Sequence, residues 1–147
     1  MRARPRVVLD TNVVLDLFHF HDPAVAGVEA ALAAGLVSLV ASEPCLEELR
    51  RVLAYPQFAL DNNAQSVIVD VYRSKVELTS MDLFDGSSLP RCTDPDDQKF
   101  VELAWQAAAY CLVTKDKALL RLARRMARQG GCAIVLPQAF VTPPSGT

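Results

Sequence analysis

The sequence predicts an α/β fold, in which helices cover both faces of a central, mainly parallel sheet to give a three-layer α/β/α sandwich. Short apolar runs of strand length alternate along the chain with longer segments of helical periodicity. Such alternation is typical of parallel sheets whose strands are joined by right-handed crossovers. No linker, repeat or low-complexity block interrupts the chain. We therefore expect one domain over residues 1–147, with its core over about 6–140 and a flexible tail over 141–147.

The composition is that of a globular protein. The chain has 147 residues, of which 51% are hydrophobic and 22% charged, and this length is enough for one buried core. Its apolar runs are too short to span a bilayer. No apolar segment of a signal peptide precedes Asp10, so we expect a cytoplasmic protein without a membrane partner. The net charge of −2 argues only weakly against a nucleic-acid partner, because local charge patches matter more than the sum.

The first third of the chain predicts one strand and two helices. Arg6 to Asp10 is an apolar run that ends in an acid, as expected of a buried parallel strand. Thr11 to Phe20 carries apolar residues at helical spacing. Asp22 and Pro23 supply the N-cap and the first position of a second helix, which should stop near Gly35.

The middle of the chain predicts two strands around two helices. Leu36 to Val40 is the second strand, and a helix capped by Ser42 should end before Pro56. Asn62 to Lys75 is a further helix, followed by a weaker strand over Val76 to Thr79. The side chains of that helix predicted to point inward are Val67, Ile68, Val71 and Tyr72.

The last third predicts two more helices and two more strands. Its first segment, Met81 to Arg91, contains Asp, Gly, Ser-Ser and Pro, which favour a loop. In order, we expect a loop over Met81 to Arg91, a helix over Asp96 to Ala109, a strand over Tyr110 to Thr114, an arginine-rich helix over Lys115 to Gln129 ended by Gly130-Gly131, and a strand over Cys132 to Leu136.

Cysteine usage excludes two kinds of site. The chain has four cysteines, without a Cys-x-x-Cys pair or a cluster of Cys and His. That spacing predicts neither a zinc site nor a disulfide framework. We expect four free thiols, buried or half-buried.

Four acids converge on one edge of the predicted sheet. Asp10 ends the first strand and Asp116 follows the fourth, while Asp97 lies in the first turn of the preceding helix. Glu48 lies beside the apolar stripe of its own helix and can point at the same edge, in which case Glu47 points to solvent. Ligand sites in open parallel sheets lie outside the carboxyl ends of the strands.

Clustered carboxylates need a cation, because they otherwise repel and raise one another's pKa. An all-oxygen ligand set favours a hard ion such as Mg²⁺ or Mn²⁺, which suits phosphodiester hydrolysis. The alternative reading of Asp97 and Asp116 is helix capping, a role that Asp94 and Asp96 could also fill. Thr11 and Asn12 are either caps of the first helix or polar supports of the carboxylates.

A basic stretch follows the last of these acids. Its charges fall mostly on one stripe of the predicted helix. A solvated surface is the ordinary interpretation, and a track for the phosphate backbone of RNA, leading to the acids, is the functional one. The residues concerned are Lys115, Arg121, Arg124, Arg125 and Arg128.

Several motifs, in order from about Val7 to Phe140, resemble the PIN-domain family, and in particular its branch of VapC-like toxin components of toxin–antitoxin systems. They are L-D-T-N-V (Leu9 to Val13), E-L-R-R-V-L (Glu48 to Leu53), D-P-D-D-Q-K-F-V-E-L-A (Asp94 to Ala104), V-T-K-D-K-A-L-L (Val113 to Leu120) and the P-x-x-F of Pro137 to Phe140.

The resemblance implies a Mg²⁺- or Mn²⁺-dependent endoribonuclease that leaves a 5′-phosphate and a 3′-hydroxyl. By motif position, the catalytic and metal-binding acids would be Asp10, Glu48, Asp97 and Asp116. The supporting residues would be Thr11, Asn12 and Thr114, with Asp94 as an extra ligand or a helix cap. The resemblance also implies a small antitoxin that covers the site, and a homodimer.

Two other functions fit parts of the pattern. A phosphatase of another doubly wound fold, of the aspartyl-phosphate kind, would want a second Asp two residues after the strand-end acid, where this chain has Asn12. A metal-dependent module that binds RNA or a partner without turnover would need the same acids. Metal-dependent RNA binding without product would distinguish that module from a nuclease.

Overall fold

Five strands form one all-parallel sheet in the order β3-β2-β1-β4-β5. The structure is a computed structural model and describes residues 4–130 and 132–143. The central strand is β1, in which Val8 pairs with Val40 on one side and Leu112 on the other. The strands are β1 (Arg6–Leu9), β2 (Ser38–Ala41), β3 (Val76–Leu78), β4 (Cys111–Val113) and β5 (Ala133–Val135).

Helices connect each strand to the next, as the sequence predicts. The first of them continues from an α-helical into a π-helical segment, Asp16–Phe20. The helices are α1 (Thr11–Leu15), α2 (Ala26–Ala33), α3 (Glu43–Leu53), α4 (Asn62–Lys75), α5 (Gln98–Gln106), α6 (Lys117–Leu120) and α7 (Ala123–Arg128), with 3₁₀ turns at Pro23–Val25, Pro56–Phe58, Pro95–Asp97 and Pro137–Ala139.

The sheet separates two apolar clusters. Along β1, Val7 and Leu9 point into one cluster and Val8 into the other, because successive side chains of a strand face opposite sides. The first cluster contains the buried apolar side chains of α1, α2 and α4, and most of those of α3. The second contains those of α5, α6 and α7. This arrangement confirms the predicted three-layer α/β/α architecture.

The inward face of α4 differs from the prediction. Ile68 and Tyr72 are buried as expected, and Val69 is buried with them. Val67 is 51% exposed and Val71 is 42% exposed, so the prediction that these two point inward is wrong. The helix is apolar around much of its circumference, and a helix on the outside of a layered fold can bury only one stripe.

The two later helices are shorter than predicted. Helix α5 ends at Gln106 because Ala108 adopts a left-handed conformation, with φ of 50°. The expected single helix over Lys115 to Gln129 is instead two helices, α6 and α7. Leu119, Leu122 and Met126 are all buried across the break between them, so the bend keeps their side chains on the core.

Two residues predicted to cap helices make different contacts. Asp22 accepts a hydrogen bond from the backbone N–H of Ala24 at 2.8 Å, as an N-cap should. Ser42 occupies the N-cap position of α3, but its hydroxyl contacts the Cys45 sulfur at 3.3 Å and caps no backbone N–H. The four cysteines are buried and free, which confirms that expectation.

The start of the predicted tail is held by the domain. The Tyr110 hydroxyl donates to the carbonyl oxygen of Val141 at 2.8 Å, and Pro143 is buried. The rest of the predicted tail, 144–147, and Gly131 of the predicted helix end lie outside the described residues. Among the described residues, no helix combines the length and the apolar character that crossing a bilayer requires.

Candidate metal centre

The acids collect at the carboxyl edge of the sheet, where β1 and β4 end side by side. Asp10 follows β1, and its backbone N–H donates to the carbonyl oxygen of Val113 at 3.1 Å. Thr114 follows β4, and Asp116 comes two residues later at the start of α6. The structure therefore brings Asp10 and Asp116 to the same edge, as the sequence predicts.

Asp10 is 4% exposed, and both of its carboxylate oxygens are used by the fold. One oxygen accepts from the Val13 backbone N–H at 3.0 Å and so caps α1. The other accepts from the Thr114 hydroxyl. Burial raises the pKa of Asp10, and these two hydrogen bonds oppose that rise. Without these hydrogen bonds, burying a carboxylate in this position would cost much more free energy.

Three carboxylates form a tight group beside Asp10. Asp94, Asp97 and Asp116 each offer an oxygen, and the three oxygens lie within 4.8 Å of one another. Asp94 and Asp116 each use one oxygen to cap the helical turn that they start, accepting backbone N–H groups at 3.0 Å and 2.7 Å respectively. Capping therefore fixes these two side chains and leaves each with a second oxygen. We call Asp94, Asp97 and Asp116 the carboxylate triad.

One carboxylate oxygen of Asp97, Oδ2, is buried and has no hydrogen-bond donor within the described residues. Burial, and then the hydrogen bond and negative charge of Asp116, raise the pKa of Asp97 to about 8, with smaller contributions from Asp94 and Glu48. A buried acceptor without a donor is costly, and a cation at this position would satisfy it. The residues present thus fit a hard divalent ion, which prefers oxygen ligands.

Glu48 faces the same centre but is engaged by protein groups. One carboxylate oxygen accepts from the Thr11 hydroxyl, and the other lies 2.5 Å from the Lys99 ammonium. Glu48 therefore stands outside the triad, although its negative charge contributes to the raised pKa of Asp97. Its neighbour Glu47 points outward, as the helical geometry predicts, and it pairs with Arg50.

The expected polar supports divide into two kinds. Thr114 is fully buried, and its hydroxyl both donates to Asp10 and accepts the backbone N–H of Asp116 at 2.9 Å. Thr11 is buried against Glu48. Asn12 is exposed and, among the described residues, its side chain makes no hydrogen bond. The structure thus gives Thr11 and Thr114 contacts with the acids, and Asn12 none.

Sequence reasoning missed two residues of α5. Lys99 lies in the first turn of the helix, where the helix dipole disfavours a cation; that unfavourable placement was a signal that it has an acidic partner. Gln98 is buried, accepts the Cys92 backbone N–H at 2.7 Å and donates to the Pro90 carbonyl at 3.0 Å. These bonds fasten the loop that carries Asp94, and nothing in the local sequence distinguishes this glutamine from an exposed one.

Sequence reasoning also missed a buried acid, Asp16, on the π-helical segment. Asp16 is 5% exposed, and its carboxylate lies 2.5 Å from the Lys115 ammonium. Lys115, which the sequence places among possible RNA-binding residues, therefore already has a carboxylate partner. Its positive charge also lowers the pKa of Asp10.

The arginines of α6, α7 and their junction form an unpaired basic surface. Arg121, Arg124, Arg125 and Arg128 are all exposed. In the part of the chain that the structure describes, none of the four has a carboxylate within 4.0 Å. No acidic residue follows Asp116 in the sequence. We call these four residues the arginine surface.

Comparisons with known proteins identify the family and support the fold. The family described as PIN domain matches residues 6–118, most of the chain. The structure is similar to a chain in the crystal structure of VapBC2 from Rickettsia felis bound to a DNA fragment from their promoter. That similarity has a TM-score of 0.59 at 15% sequence identity and covers 88% of this chain and 96% of the other, and it bears on the fold alone. No sequence among curated proteins matches significantly.

Proposed function

This chain belongs to the PIN-domain family, and on that premise we propose that it is a metal-dependent endoribonuclease using Mg²⁺ or Mn²⁺. The observation that carries the proposal is the buried, partnerless oxygen of Asp97 between two further carboxylates. A buried oxygen with a purely structural role normally has a hydrogen-bond donor. A hard cation would satisfy that oxygen and would oppose the rise in the pKa of Asp97 that burial and the neighbouring acids cause.

The residues divide the work as follows. Asp97 and Asp116 would hold the ion together with Asp94. Asp10 and Glu48 would be the further acidic residues of the centre. When bound, such an ion activates water and stabilises negative charge on phosphoryl oxygens. Burial and the neighbouring Asp116 raise the pKa of Asp97 to about 8, so binding of a cation there should weaken as the pH falls. The Thr114 hydroxyl donates to the Asp10 carboxylate and accepts the backbone N–H of Asp116, so it fixes these two residues relative to each other.

We propose that the arginine surface binds the phosphate backbone of the RNA. Asp116 of the carboxylate triad is the N-cap of α6, and the arginine surface begins at Arg121, the C-cap of the same short helix. Arginines that balance acids inside a protein have carboxylate neighbours, and these four have none within the described residues. A polyanion would supply the missing charge. Lys115 would add a positive charge for the RNA close to the acids while it remains paired with Asp16.

The test is cleavage of a labelled, mixed-sequence RNA by the purified chain with Mn²⁺, with Mg²⁺ and with EDTA. Asp97→Asn and Asp116→Asn should abolish cleavage. Asp96→Asn is the matched control, because Asp96 is an exposed neighbour outside the triad. Cleavage that persists in EDTA or in Asp97→Asn would refute the proposal. RNA binding that needs the metal but gives no product would instead identify a binding module.

We further propose that the chain is the toxin component of a toxin–antitoxin pair that acts in the cytoplasm, neutralised by a small antitoxin. The support is its fold, which it shares with a chain of the VapBC2 complex. Expression of the wild-type chain in a bacterial host should arrest growth, and expression of Asp97→Asn should not. Growth unaffected by an active nuclease would refute the toxin role alone. We also propose that the chain forms a homodimer, as the family resemblance implies, and light scattering of the purified chain tests this.

A further inference from the structure

A lysine is built into the acidic centre. The Lys99 ammonium lies 2.5 Å from a Glu48 oxygen, and the two side chains are only 17% and 15% exposed. Among the described residues it is the only ion pair in which both side chains are mostly buried. Solvent screens such a pair poorly, so its Coulomb attraction exceeds that of the exposed pairs, while the loss of hydration at both groups opposes this gain.

Within the part of the chain that the structure describes, Lys99 has no alternative acidic partner, and Glu48 has no free carboxylate oxygen. Lys99 lies in the first turn of α5, where the positive end of the helix repels it, and no acid other than Glu48 lies within 4.0 Å among the described residues. Glu48 has its second oxygen against the Thr11 hydroxyl. Both oxygens of Glu48 are therefore used by the protein, whereas Asp97 keeps a buried oxygen with no partner.

These contacts determine how many divalent ions the acidic centre can bind. The carboxylate triad has its oxygens within 4.8 Å of one another, close enough to bind one ion together. In two-metal sites the second ion lies about 3.5–4 Å from the first, and here the remaining acids near the triad are Asp10 and Glu48. Asp10 has both oxygens hydrogen-bonded. The charge of Glu48 is balanced by Lys99, whose ammonium would repel another cation.

We propose that Lys99 is a positioning residue that holds Glu48 as an internal counter-ion and thereby limits the centre to one divalent ion, bound by Asp94, Asp97 and Asp116. The inference rests on the proposed metal-dependent function and specifies its metal stoichiometry. Glu48 is then a partner of Lys99 and not a ligand of the ion.

The experiment counts bound Mn²⁺ by calorimetry and by electron paramagnetic resonance of the free ion. Wild-type protein should bind one ion. Lys99→Met, which keeps the length of the side chain without its charge, frees Glu48 and should bind two. Lys99→Arg keeps the charge and should bind one. The double variant Lys99→Met/Glu48→Gln removes the pair as a unit and should also bind one, as should Lys75→Met, the control at an exposed lysine of α4.

Several results would overturn the inference. Wild-type protein that binds two ions contradicts it directly, and so does Lys99→Met that still binds one ion with unchanged affinity. If Lys99→Met does not fold, Glu48→Gln decides: it should still bind one ion, and loss of the ion would show that Glu48 is a ligand. One bound ion without RNA cleavage refutes the nuclease proposal and leaves this inference standing. No bound ion in the wild type refutes the metal centre itself.

Discussion

Replacing Asp97 by asparagine should stabilise the metal-free protein and abolish its stabilisation by Mn²⁺. The wild-type carboxylate is partly buried beside Asp94 and Asp116, with one oxygen that has no partner. Folding therefore forces either a buried charge or a bound proton on this side chain. The amide of asparagine has nearly the same shape, carries no charge and can donate hydrogen bonds to the neighbouring carboxylates.

The magnitude follows from the pKa of Asp97, which is raised from 3.8 to about 8 in the folded protein. A pKa difference of one is worth about 1.4 kcal/mol, and solvent screening of this partly exposed carboxylate reduces the whole effect to about 1–2 kcal/mol. Between these two pKa values the folded state holds a proton that the unfolded state has lost. The free energy of unfolding of the metal-free wild type therefore falls as the pH rises through that window. The advantage of Asp97→Asn should be absent near the lower limit and complete at the upper one.

The assay is urea unfolding followed by circular dichroism at pH 5 and pH 8, in EDTA and in Mn²⁺. A concentration of Mn²⁺ about 100 times Kd should raise the free energy of unfolding of the wild type by about 2.7 kcal/mol. Asp97→Asn should show no such gain, and the control Asp96→Asn should behave as the wild type. If Asp97→Asn is less stable than the wild type in EDTA at pH 8, the reasoning about the buried carboxylate is wrong.

Three further outcomes are expected. Thr114→Val removes the hydroxyl that donates to Asp10, so it should lower the free energy of unfolding by about 1–3 kcal/mol and weaken Mn²⁺ binding, while Thr114→Ser should restore both; equal stability of the valine and serine variants would contradict this. Arg124→Ala/Arg128→Ala should weaken RNA binding and reduce the slope of log affinity against log salt by about 2, measured on the Asp97→Asn background, whereas Arg73→Ala, at an arginine paired with an acid, should leave the slope unchanged; equal slopes in all three proteins would exclude the arginine surface as the RNA track. The four buried cysteines should react with a thiol reagent slowly in the native protein and completely in denaturant, and fast reaction of any of them in the native protein would contradict their burial.

Features that depend on local sequence were predictable. Asp22 caps its helical turn, and the apolar run from Arg6 forms the central strand. Periodicity and capping act over a few residues, so the chain displays them directly. The outward orientation of Val67 and Val71 was not predictable in this way. Which stripe of a largely apolar helix is buried depends on where the neighbouring layer lies, and that is a property of the whole fold.

The centre shows the same division. The position of Asp10 and Asp116 at one edge follows from the order of strands. The bond between Lys99 and Glu48 joins residues 51 positions apart, and only the packing of α3 against α5 determines it. The sequence likewise could not show that both Glu48 oxygens are bonded, or that Asp94 joins Asp97 and Asp116 in one group. The motifs identify which acids are present, and tertiary contacts determine which of them have a free oxygen.

The capping carboxylates have a kinetic consequence. Asp10, Asp94 and Asp116 are each held by a backbone N–H at the start of a helical turn. Their rotamers are therefore fixed before any ion arrives, and binding requires little loss of side-chain freedom. The slow step of metal entry should then be the release of water by the ion rather than rearrangement of the protein. Because Mg²⁺ releases its water reluctantly, we expect Mn²⁺ to bind faster than Mg²⁺ at equal concentration, with little difference between them in the structure of the protein.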